Sequence, residues 1–275
     1  TALVTGGATG IGKLINSADG SVQVAAIRLC GIWKLLEQVK PLTAFADHGK
    51  TPAIRGAGIT ALAQIGGGPA AAALEQLAKS KDLGVARHSV LALAGLGVGR
   101  AAKPFFGVLA KSADEDHALA LWRGFLGNRN GAKALTENYP VEGMSKLIAR
   151  AGLRAAREGG RNEPALVAAL SKDAGITIKP EELTPALVQA MISKANEDGH
   201  PGRGEAVYRR PELGCVLCHA IGGVGGKVGP DLVSLGASAP KDYIIESMYK
   251  PNDKIKEGYH SVIVETKDEF EYSGV

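Results

Sequence analysis

The sequence has little of what would place it in several common classes of protein. Its 275 residues include three cysteines, too few for a disulfide scaffold, and only 5% of the residues are aromatic. No apolar run approaches the roughly 18–20 residues of a membrane span, and no stretch reads as a secretory leader. The net charge of +4 is too small to indicate a nucleic-acid partner. We therefore expect no membrane span, no signal peptide and no nucleic-acid ligand in this chain.

What is present divides the chain into two modules of different composition. Residues 1–200 hold 38 of the 42 alanines. Residues 1–199 carry 23 basic and 17 acidic side chains, whereas residues 200–275 carry 9 and 11. Glycine and proline at positions 199, 201 and 202 would end any helix that arrives from upstream. The join between the modules is therefore predicted near residues 197–202.

The longer module repeats itself at intervals of roughly 30 residues. An aspartate precedes each of four apolar, alanine-rich segments with helical spacing, and an aspartate in front of a helix caps its free N–H groups. These aspartates are Asp19, Asp47, Asp82 and Asp114. The four helices are predicted over residues 22–36, 53–65, 85–96 and 118–126. Further helices are predicted over residues 141–156, 164–170 and 185–194.

A repeated helix–turn–helix unit of this length predicts a solenoid, in which stacked units share one continuous core. The pattern resembles HEAT repeats, and we count four over residues 1–136, followed by a helical spacer or degenerate repeat over residues 137–199. Cys30 is expected to be a small buried hydrophobe, and Trp33 and Trp122 to be core aromatics. The predicted apolar stripe of the first helix is Val22, Ala26, Leu29, Trp33 and Leu36.

A glycine-rich segment near the start suggests another interpretation. Residues 3–12, Leu-Val-Thr-Gly-Gly-Ala-Thr-Gly-Ile-Gly, resemble the nucleotide-binding turn of short-chain dehydrogenases, where glycines let the backbone approach a pyrophosphate. That fingerprint needs a βαβ unit around it, and a repeat helix follows instead. The Tyr-x-x-x-Lys pair of that family is absent from the sequence. We interpret the segment as a glycine-rich loop that leads into a repeat helix, and we expect no NAD(P)H binding.

The most informative motif lies in the shorter module and reads Cys215-Val216-Leu217-Cys218-His219. C-x-x-C-H is the attachment sequence of c-type haem. Two thiols three residues apart lie on one face of a helical turn and can bond both vinyl groups of the porphyrin, and the adjacent imidazole can ligate the iron. Three other interpretations are a zinc site, which lacks its further ligands, a thioredoxin-like redox pair without its βαβ context, and two buried thiols beside a chance histidine.

The residues around the motif resemble those of class I cytochromes c. The segment from Gly204 to Tyr208 looks like the entry helix of that family, and residues 222–232 look like its glycine loop with the G-P-x-L motif. The resemblance implies that Tyr208 belongs to the haem site. It also implies that the Pro230 carbonyl accepts the N–H of His219 and so holds His219 as the proximal ligand. A helix is predicted over residues 241–249, ended by Pro251.

Residues 200–275 resemble more specifically a haem-binding domain family that occurs behind HEAT repeats and is often fused to a propeller-type sugar dehydrogenase. The segments that carry this resemblance are residues 228–232, 243–247, 250–252 and 258–259. Two strands, over residues 262–266 and 270–275, are predicted around a turn at 267–269. The resemblance implies that this domain continues beyond residue 275.

The distal ligand of the iron is left open by the sequence. A Met or His usually completes an electron-transfer haem. In the resembling family the ligand looks like a methionine of an M-P motif beyond the strand pair, so we expect it after Val275. His260 and Met248 are the candidates within the chain, although the apolar face around Met248 favours packing in the core. An iron with five ligands is the remaining alternative.

Together these patterns predict a mostly α fold, in which a HEAT-like α-solenoid precedes a small class I-like cytochrome c domain with a short β-hairpin at its C-terminal end. The expected function is electron transfer through one covalently bound haem c, with no catalytic residues. The expected donor is a dehydrogenase, either a partner protein or a fused domain, and the expected acceptor is another cytochrome. The alternative is an interaction scaffold whose haem senses a ligand or redox state. Because covalent haem is attached outside the bacterial cytoplasm, we expect a periplasmic or other extracytoplasmic location.

Overall fold

The computed structural model describes residues 7–157, 163–176, 182–210, 213–267 and 271–275. Most of these residues are helical, and the strands are short. Two compact units divide them. The first unit contains residues 7–157 and 163–176 with 265–267 and Glu271, and the second contains residues 182–210, 213–264 and 272–275. The module boundaries at residues 136 and 199 stay predictions, because they rest on composition and repeat spacing.

The first unit is a succession of helices with short connections. They are α1 (Gly7–Leu14), α2 (Gly20–Ile32), a 3₁₀ turn η1 (Leu36–Gln38), α3 (Val39–His48), α4 (Pro52–Ile65), α5 (Gly67–Leu77), α6 (Leu83–Leu96), α7 (Val98–Leu109), α8 (Glu115–Leu126), α9 (Gly131–Glu137), α10 (Lys146–Arg157) and α11 (Pro164–Ala174). The four predicted repeat helices correspond to α2, α4, α6 and α8. The candidates at 141–156 and 164–170 correspond to α10 and α11.

The helices of the first unit stack in two rows. In one row α2 packs on α4, α4 on α6, α6 on α8 and α8 on α10. In the other row α3 packs on α5, α7 on α9 and α9 on α11. Because each pair shares its apolar face with the next, one continuous core runs through the unit, as in an α-solenoid. The pair of α10 and α11 extends this stack into the stretch that was predicted as a spacer or degenerate repeat.

Three of the four predicted aspartate caps are confirmed. Asp19, Asp82 and Asp114 accept hydrogen bonds from the first backbone N–H groups of α2, α6 and α8. The prediction for Asp47 is wrong, because this residue lies inside α3 and accepts a hydrogen bond from the Ser80 hydroxyl at 2.9 Å. The cap of α4 is Thr51, whose hydroxyl accepts from the N–H of Ile54, with a proline at the first helical position.

The predicted apolar stripe of α2 is partly wrong. The helix ends at Ile32, and Lys34 follows in the left-handed conformation with φ 53°, so the periodicity does not continue. Trp33 is therefore 39% exposed and Leu36 60% exposed. The residues that α2 buries are Ala26, Ile27, Cys30 and Gly31. The predicted burial of Cys30 is thus confirmed, and burial raises the pKa of its thiol.

Of the two predicted core aromatics, Trp33 is wrong because it is exposed, and Trp122 is confirmed. Trp122 joins α8 to α10. Its side chain is fully buried and its indole N–H donates to the Ile148 carbonyl at 3.1 Å. The ring of Phe105 packs edge-on against it, with 5.2 Å between ring centroids. Gly152 of α10 lies so close that an added Cβ would be 2.7 Å from the indole. This glycine therefore permits the close approach of the two helices.

The elements of the second unit are α12 (Pro185–Asp198), α13 (Pro201–Tyr208), α14 (Cys215–Cys218), β1 (Ala220–Ile221), β2 (Val224–Gly225), α15 (Leu235–Ser238), α16 (Lys241–Tyr249), β3 (Val262–Glu265) and β4 (Glu271–Gly274). After α12, these elements are short. Glu265 of β3 and Glu271 of β4 belong to the first unit. β1 and β2 pair antiparallel, with Ala220 opposite Gly225, and β3 and β4 form a separate two-stranded sheet.

Several predicted elements of the second unit are present in the structure. The helix predicted over residues 241–249 is confirmed as α16, and the one over 185–194 lies within α12. The two C-terminal strands are present as β3 and β4, and residues 268–270 of the predicted turn and strand lie outside the described residues. In the described parts of the chain, no helix is long and apolar enough to cross a membrane.

Candidate functional site

The two thiols of the C-x-x-C-H motif lie on one short helix. α14 places Cys215 and Cys218 one turn apart, with Cys215 half-buried and Cys218 exposed. Because residues three positions apart share a helix face, both sulfur atoms can meet one flat ligand from the same side. His219 ends the turn, and its backbone N–H donates to the Cys215 carbonyl at 3.0 Å.

The imidazole of His219 is held by a backbone carbonyl. Its Nδ1 lies 2.9 Å from the carbonyl oxygen of Pro230. A carbonyl can only accept, so Nδ1 carries the proton and donates it, and Nε2 of the neutral ring keeps its lone pair. The ring also lies against Gly229, where an added Cβ would be 2.4 Å from Cε1 of His219. The arrangement is the one that the resemblance to class I cytochromes c implies for these residues, and it is suited to metal ligation through Nε2.

Backbone hydrogen bonds fasten the loop that carries Pro230 to the C-x-x-C-H segment. The N–H groups of Gly226, Gly229 and Leu232 donate to the carbonyls of Val216, Cys218 and Ala220. The three distances are 2.8, 2.7 and 2.8 Å in that order. These bonds hold the loop beside the imidazole along its whole length.

Tyr208, which precedes the motif in the chain, also contacts the site. It is the last residue of α13, and its hydroxyl donates to the His219 carbonyl oxygen at 2.7 Å. The helix expected to begin near Gly204 begins at Pro201, with the His200 side chain as its cap. The structure therefore brings three of the predicted site residues together in one hydrogen-bonded set beside α14. They are Tyr208, His219 and Pro230.

Sequence reasoning missed Asp231. Its carboxylate accepts backbone N–H groups from Gly222, Gly223 and Val233. These hydrogen bonds hold the pKa of Asp231 below its usual value, the bond from Val233 having the largest effect. An aspartate in a glycine-rich loop commonly bonds the backbone two residues on, so the signal was available for Val233. The hydrogen bonds from Gly222 and Gly223 depend on the fold, so the sequence alone does not predict them.

The two distal candidates within the chain are both exposed. Met248 lies on α16 and is 69% exposed, so the expected packing in the core is wrong. The apolar residue that α16 buries is Ile245. His260 is exposed just before β3. The hydrogen-bonded set around the imidazole contains neither residue, and the choice of a distal ligand stays a prediction.

The second unit shows much apolar surface and little core. Among its described residues, the buried hydrophobic ones are Val188, Ala220 and Ile245. Large hydrophobic side chains of the motif region are exposed instead, and they are Val207, Leu213, Leu217, Val224, Val228 and Val233. A large flat apolar ligand attached at Cys215 and Cys218 would bury surface of this kind. The exposed apolar side chains therefore fit haem, and so do the two thiols with the imidazole of His219.

The comparison with known families concerns the first unit. Residues 9–94 are similar to HEAT repeats. No curated protein matches the chain. The HEAT-repeat match covers most of α1, all of α2 to α5 and most of α6, so over this part of the first unit both sequence family and structure support a solenoid. It does not reach the C-x-x-C-H motif.

The HEAT-repeat match also overlaps the glycine-rich segment near the start. Gly7, Gly10 and Gly12 lie within α1, so the expected loop is wrong for residues 7–12, and residues 1–6 lie outside the described part of the chain. The described strands form two small sheets, β1 with β2 and β3 with β4. Nothing of a βαβ unit is present among the described residues, which is the context that a dinucleotide-binding turn needs.

The described residues also bear on the zinc interpretation. They bring together no group of three or more His, Cys, Asp or Glu side chains with the geometry of a metal site. A structural zinc ion takes four protein ligands. The described residues therefore do not assemble a zinc site with four protein ligands.

Proposed function

We propose that the second unit holds one covalently bound haem c and that the chain transfers electrons. The observation that carries the proposal is the hydrogen bond from His219 Nδ1 to the Pro230 carbonyl, one residue after a C-x-x-C turn. It orients the imidazole with Nε2 available as a ligand beside two thiols that share one helix face. This combination of two thiols and one oriented imidazole is what haem c attachment requires.

The residues of the site have separate tasks in this proposal. Cys215 and Cys218 would bond the porphyrin, and His219 would be the proximal ligand through Nε2. Pro230 and Tyr208 would hold His219 at its ring and at its carbonyl. Haem supplies an iron that exchanges one electron without making a bond to substrate. The exposed apolar side chains near the motif would exclude water from its faces.

The chain would take one electron from a dehydrogenase and pass it to another cytochrome. The HEAT repeats would serve as the scaffold on which such partners dock, since stacked repeats offer an extended surface. Covalent attachment of haem requires an extracytoplasmic location in bacteria, and we propose the periplasm. In this account the chain has no catalytic residues of its own and is an electron-transfer module.

The intact mass of the full chain tests the attachment. The chain is produced in bacteria that export it and carry haem-attachment machinery. We expect the denatured wild-type chain to keep the mass of one haem, and the Cys215→Ala, Cys218→Ala double variant to lose it. Cys30→Ala is the matched control, because Cys30 is buried in α2 and should leave attachment unchanged.

Two results would overturn this assignment. A wild-type chain without covalent haem under these conditions would contradict it, and so would a double variant that still retains haem after denaturation. Binding of carbon monoxide by the reduced chain at full occupancy would show an open distal position and would favour haem-based sensing over electron transfer.

A further inference from the structure

Asp231 links the two segments that flank the imidazole of His219. Its Oδ1 accepts the N–H of Gly222 at 3.1 Å and that of Val233 at 2.8 Å, and its Oδ2 accepts the N–H of Gly223 at 2.6 Å. Gly222 and Gly223 form the turn between β1 and β2, and β1 starts directly after His219. Because Asp231 directly follows Pro230, its carboxylate links this turn to the loop that carries the Pro230 carbonyl.

We infer that Asp231 is a positioning residue for His219. Its carboxylate fixes the loop so that the Pro230 carbonyl stays at Nδ1, which keeps the proton on Nδ1 and the lone pair on Nε2. The inference rests on the proposed function, in which Nε2 ligates the iron. It assigns to Asp231 a role that acts through another residue and not through contact with haem.

Backbone hydrogen bonds hold the Pro230 segment, residues 229–232, at its two ends. Gly229 donates to the Cys218 carbonyl and Leu232 donates to the Ala220 carbonyl, but proline has no N–H to donate. The Asp231 side chain accepts two bonds from the Gly222–Gly223 turn and one local bond from Val233, each of them strengthened by the charge of the carboxylate. The two bonds from the turn tie the residue after Pro230 to the chain that continues from His219, so they restrain the distance between His219 Nδ1 and the Pro230 carbonyl.

The tautomer of His219 tests this role without haem. Nitrogen NMR of the full chain, labelled at histidine and assigned with His219→Gln, reports which ring nitrogen carries the proton. We expect the Nδ1–H form to dominate in the wild type at a pH where the ring is neutral. In Asp231→Asn and Asp231→Glu, the ratio of the Nδ1–H to the Nε2–H form should fall at least threefold. Glu257→Gln, which removes an exposed charge from the same unit, is the control and should change nothing.

The two Asp231 variants separate positioning from charge. Glutamate keeps the charge, but its longer side chain cannot reproduce the three short bonds, whereas asparagine removes the charge and keeps an acceptor at Oδ1. A wild-type tautomer ratio in Asp231→Glu together with a changed ratio in Asp231→Asn would show that charge alone acts, and would overturn the inference. Unchanged ratios in both would also overturn it. If Asp231→Glu does not fold, the His219 tautomer ratio of Asp231→Asn is compared with that of Glu257→Gln. Equal ratios in these two variants would overturn the inference.

The reduction potential provides a second measurement on the haem-loaded chain. Loss of the Nδ1 bond makes His219 a weaker electron donor to iron and favours the reduced state. At a fixed applied potential, the ratio of reduced to oxidised chain should rise about threefold to tenfold in both Asp231 variants, where tenfold is 59 mV for one electron. An unchanged ratio in Asp231→Glu would count against positioning. A wild-type chain that carries no covalent haem would contradict the proposed function instead, and the tautomer measurement would still stand.

Discussion

At the scale of single residues, the imidazole of His219 depends on the absence of a side chain at position 229. An added Cβ there would be 2.4 Å from Cε1, so in Gly229→Ala the ring or the loop must shift, and we expect the bond from Nδ1 to the Pro230 carbonyl to weaken. We expect the fraction of haem-loaded chain with a sharp reduced α-band to fall several-fold, measured by visible spectroscopy. Gly236→Ala is the matched control, because its added Cβ meets nothing within 4 Å. An α-band of wild-type size in Gly229→Ala would contradict the packing described here.

Trp122 is the residue whose loss should destabilise the first unit most clearly. It is fully buried between α8 and α10, so Trp122→Ala removes a large packed ring and the hydrogen bond to Ile148. We expect the free energy of unfolding to fall by about 3–5 kcal/mol, measured by urea denaturation. Trp33→Ala should cost much less, because Trp33 is 39% exposed. Equal losses in the two variants would show that Trp122 is not a core residue.

At the scale of the helices, Asp82 shows what a cap contributes. Its Oδ1 accepts the N–H groups of Gly84 and Val85 at the start of α6, and Oδ2 lies 3.4 Å from the Arg55 guanidinium. Asp82→Ala should lower the free energy of unfolding by about 1 kcal/mol. Asp82→Asn should keep most of it, since asparagine caps as well and an exposed ion pair adds little. A loss in Asp82→Asn equal to that in Asp82→Ala would assign the effect to the ion pair.

Two other caps, Asp19 and Asp114, predict a dependence of stability on pH. The pKa of Asp19 is lowered chiefly by the Ser21 hydroxyl, and that of Asp114 chiefly by the N–H of His117. In the unfolded chain both carboxyls have a pKa near 3.8, so the unfolded chain binds protons first as the pH falls. Their stabilisation is therefore complete above about pH 5 and is lost as the pH falls through the lowered folded-state values.

Substitution of both caps by asparagine tests this dependence. The Asp19→Asn, Asp114→Asn variant keeps side-chain acceptors at the helix ends but no longer titrates there. The difference in urea midpoint between pH 7 and pH 3 should be smaller than in the wild type. An equal difference would mean that other carboxyl groups account for the loss of stability in acid.

Much of the helical pattern could be predicted from the sequence, because the residues that start and end helices act on their own neighbours in the chain. Aspartates at 19, 82 and 114 mark helix starts, and Pro240 and Pro251 bracket α16. The failures came where two local signals competed. Asp47 and Thr51 both favour a helix start, and the proline after Thr51 decides in its favour. The predicted apolar stripe continues past Ile32, the end of α2, because nothing in its spacing shows that Lys34 adopts a left-handed conformation.

The residues with the site's chemistry could be predicted from the sequence, whereas those that hold His219 in place could be predicted only in part. The spacing of Cys215, Cys218 and His219 is a linear signal, and the resemblance to class I cytochromes c added Pro230 and Tyr208, which the structure places against His219. Asp231 was missed because two of its three partners lie eight and nine residues away across a turn. The prediction of Met248 as a core residue fails because α16 buries Ile245, and the apolar spacing alone does not show which apolar residue of the helix is buried.

At the scale of the whole molecule, the two units differ in how much core they have. The first unit buries a continuous set of alanine, leucine and aromatic side chains, whereas the described residues of the second bury three hydrophobic ones. In the chain without haem, we expect amide hydrogen exchange to be slower in α4, α6 and α8 than in α13 and α16, by tenfold or more. Attachment of haem should slow exchange in the second unit and leave the first unchanged. Equal exchange rates in both units of the chain without haem would contradict this difference.

The central claim is that this chain carries an electron on a haem bound at Cys215, Cys218 and His219. A spectroelectrochemical titration of the full chain, produced with haem-attachment machinery, tests it most directly. We predict a reversible transition of one electron, with a sharp reduced α-band that persists after extraction with acidified acetone. A colourless chain, a haem that is extracted, or a bound haem that cannot be reduced and reoxidised reversibly would contradict the account.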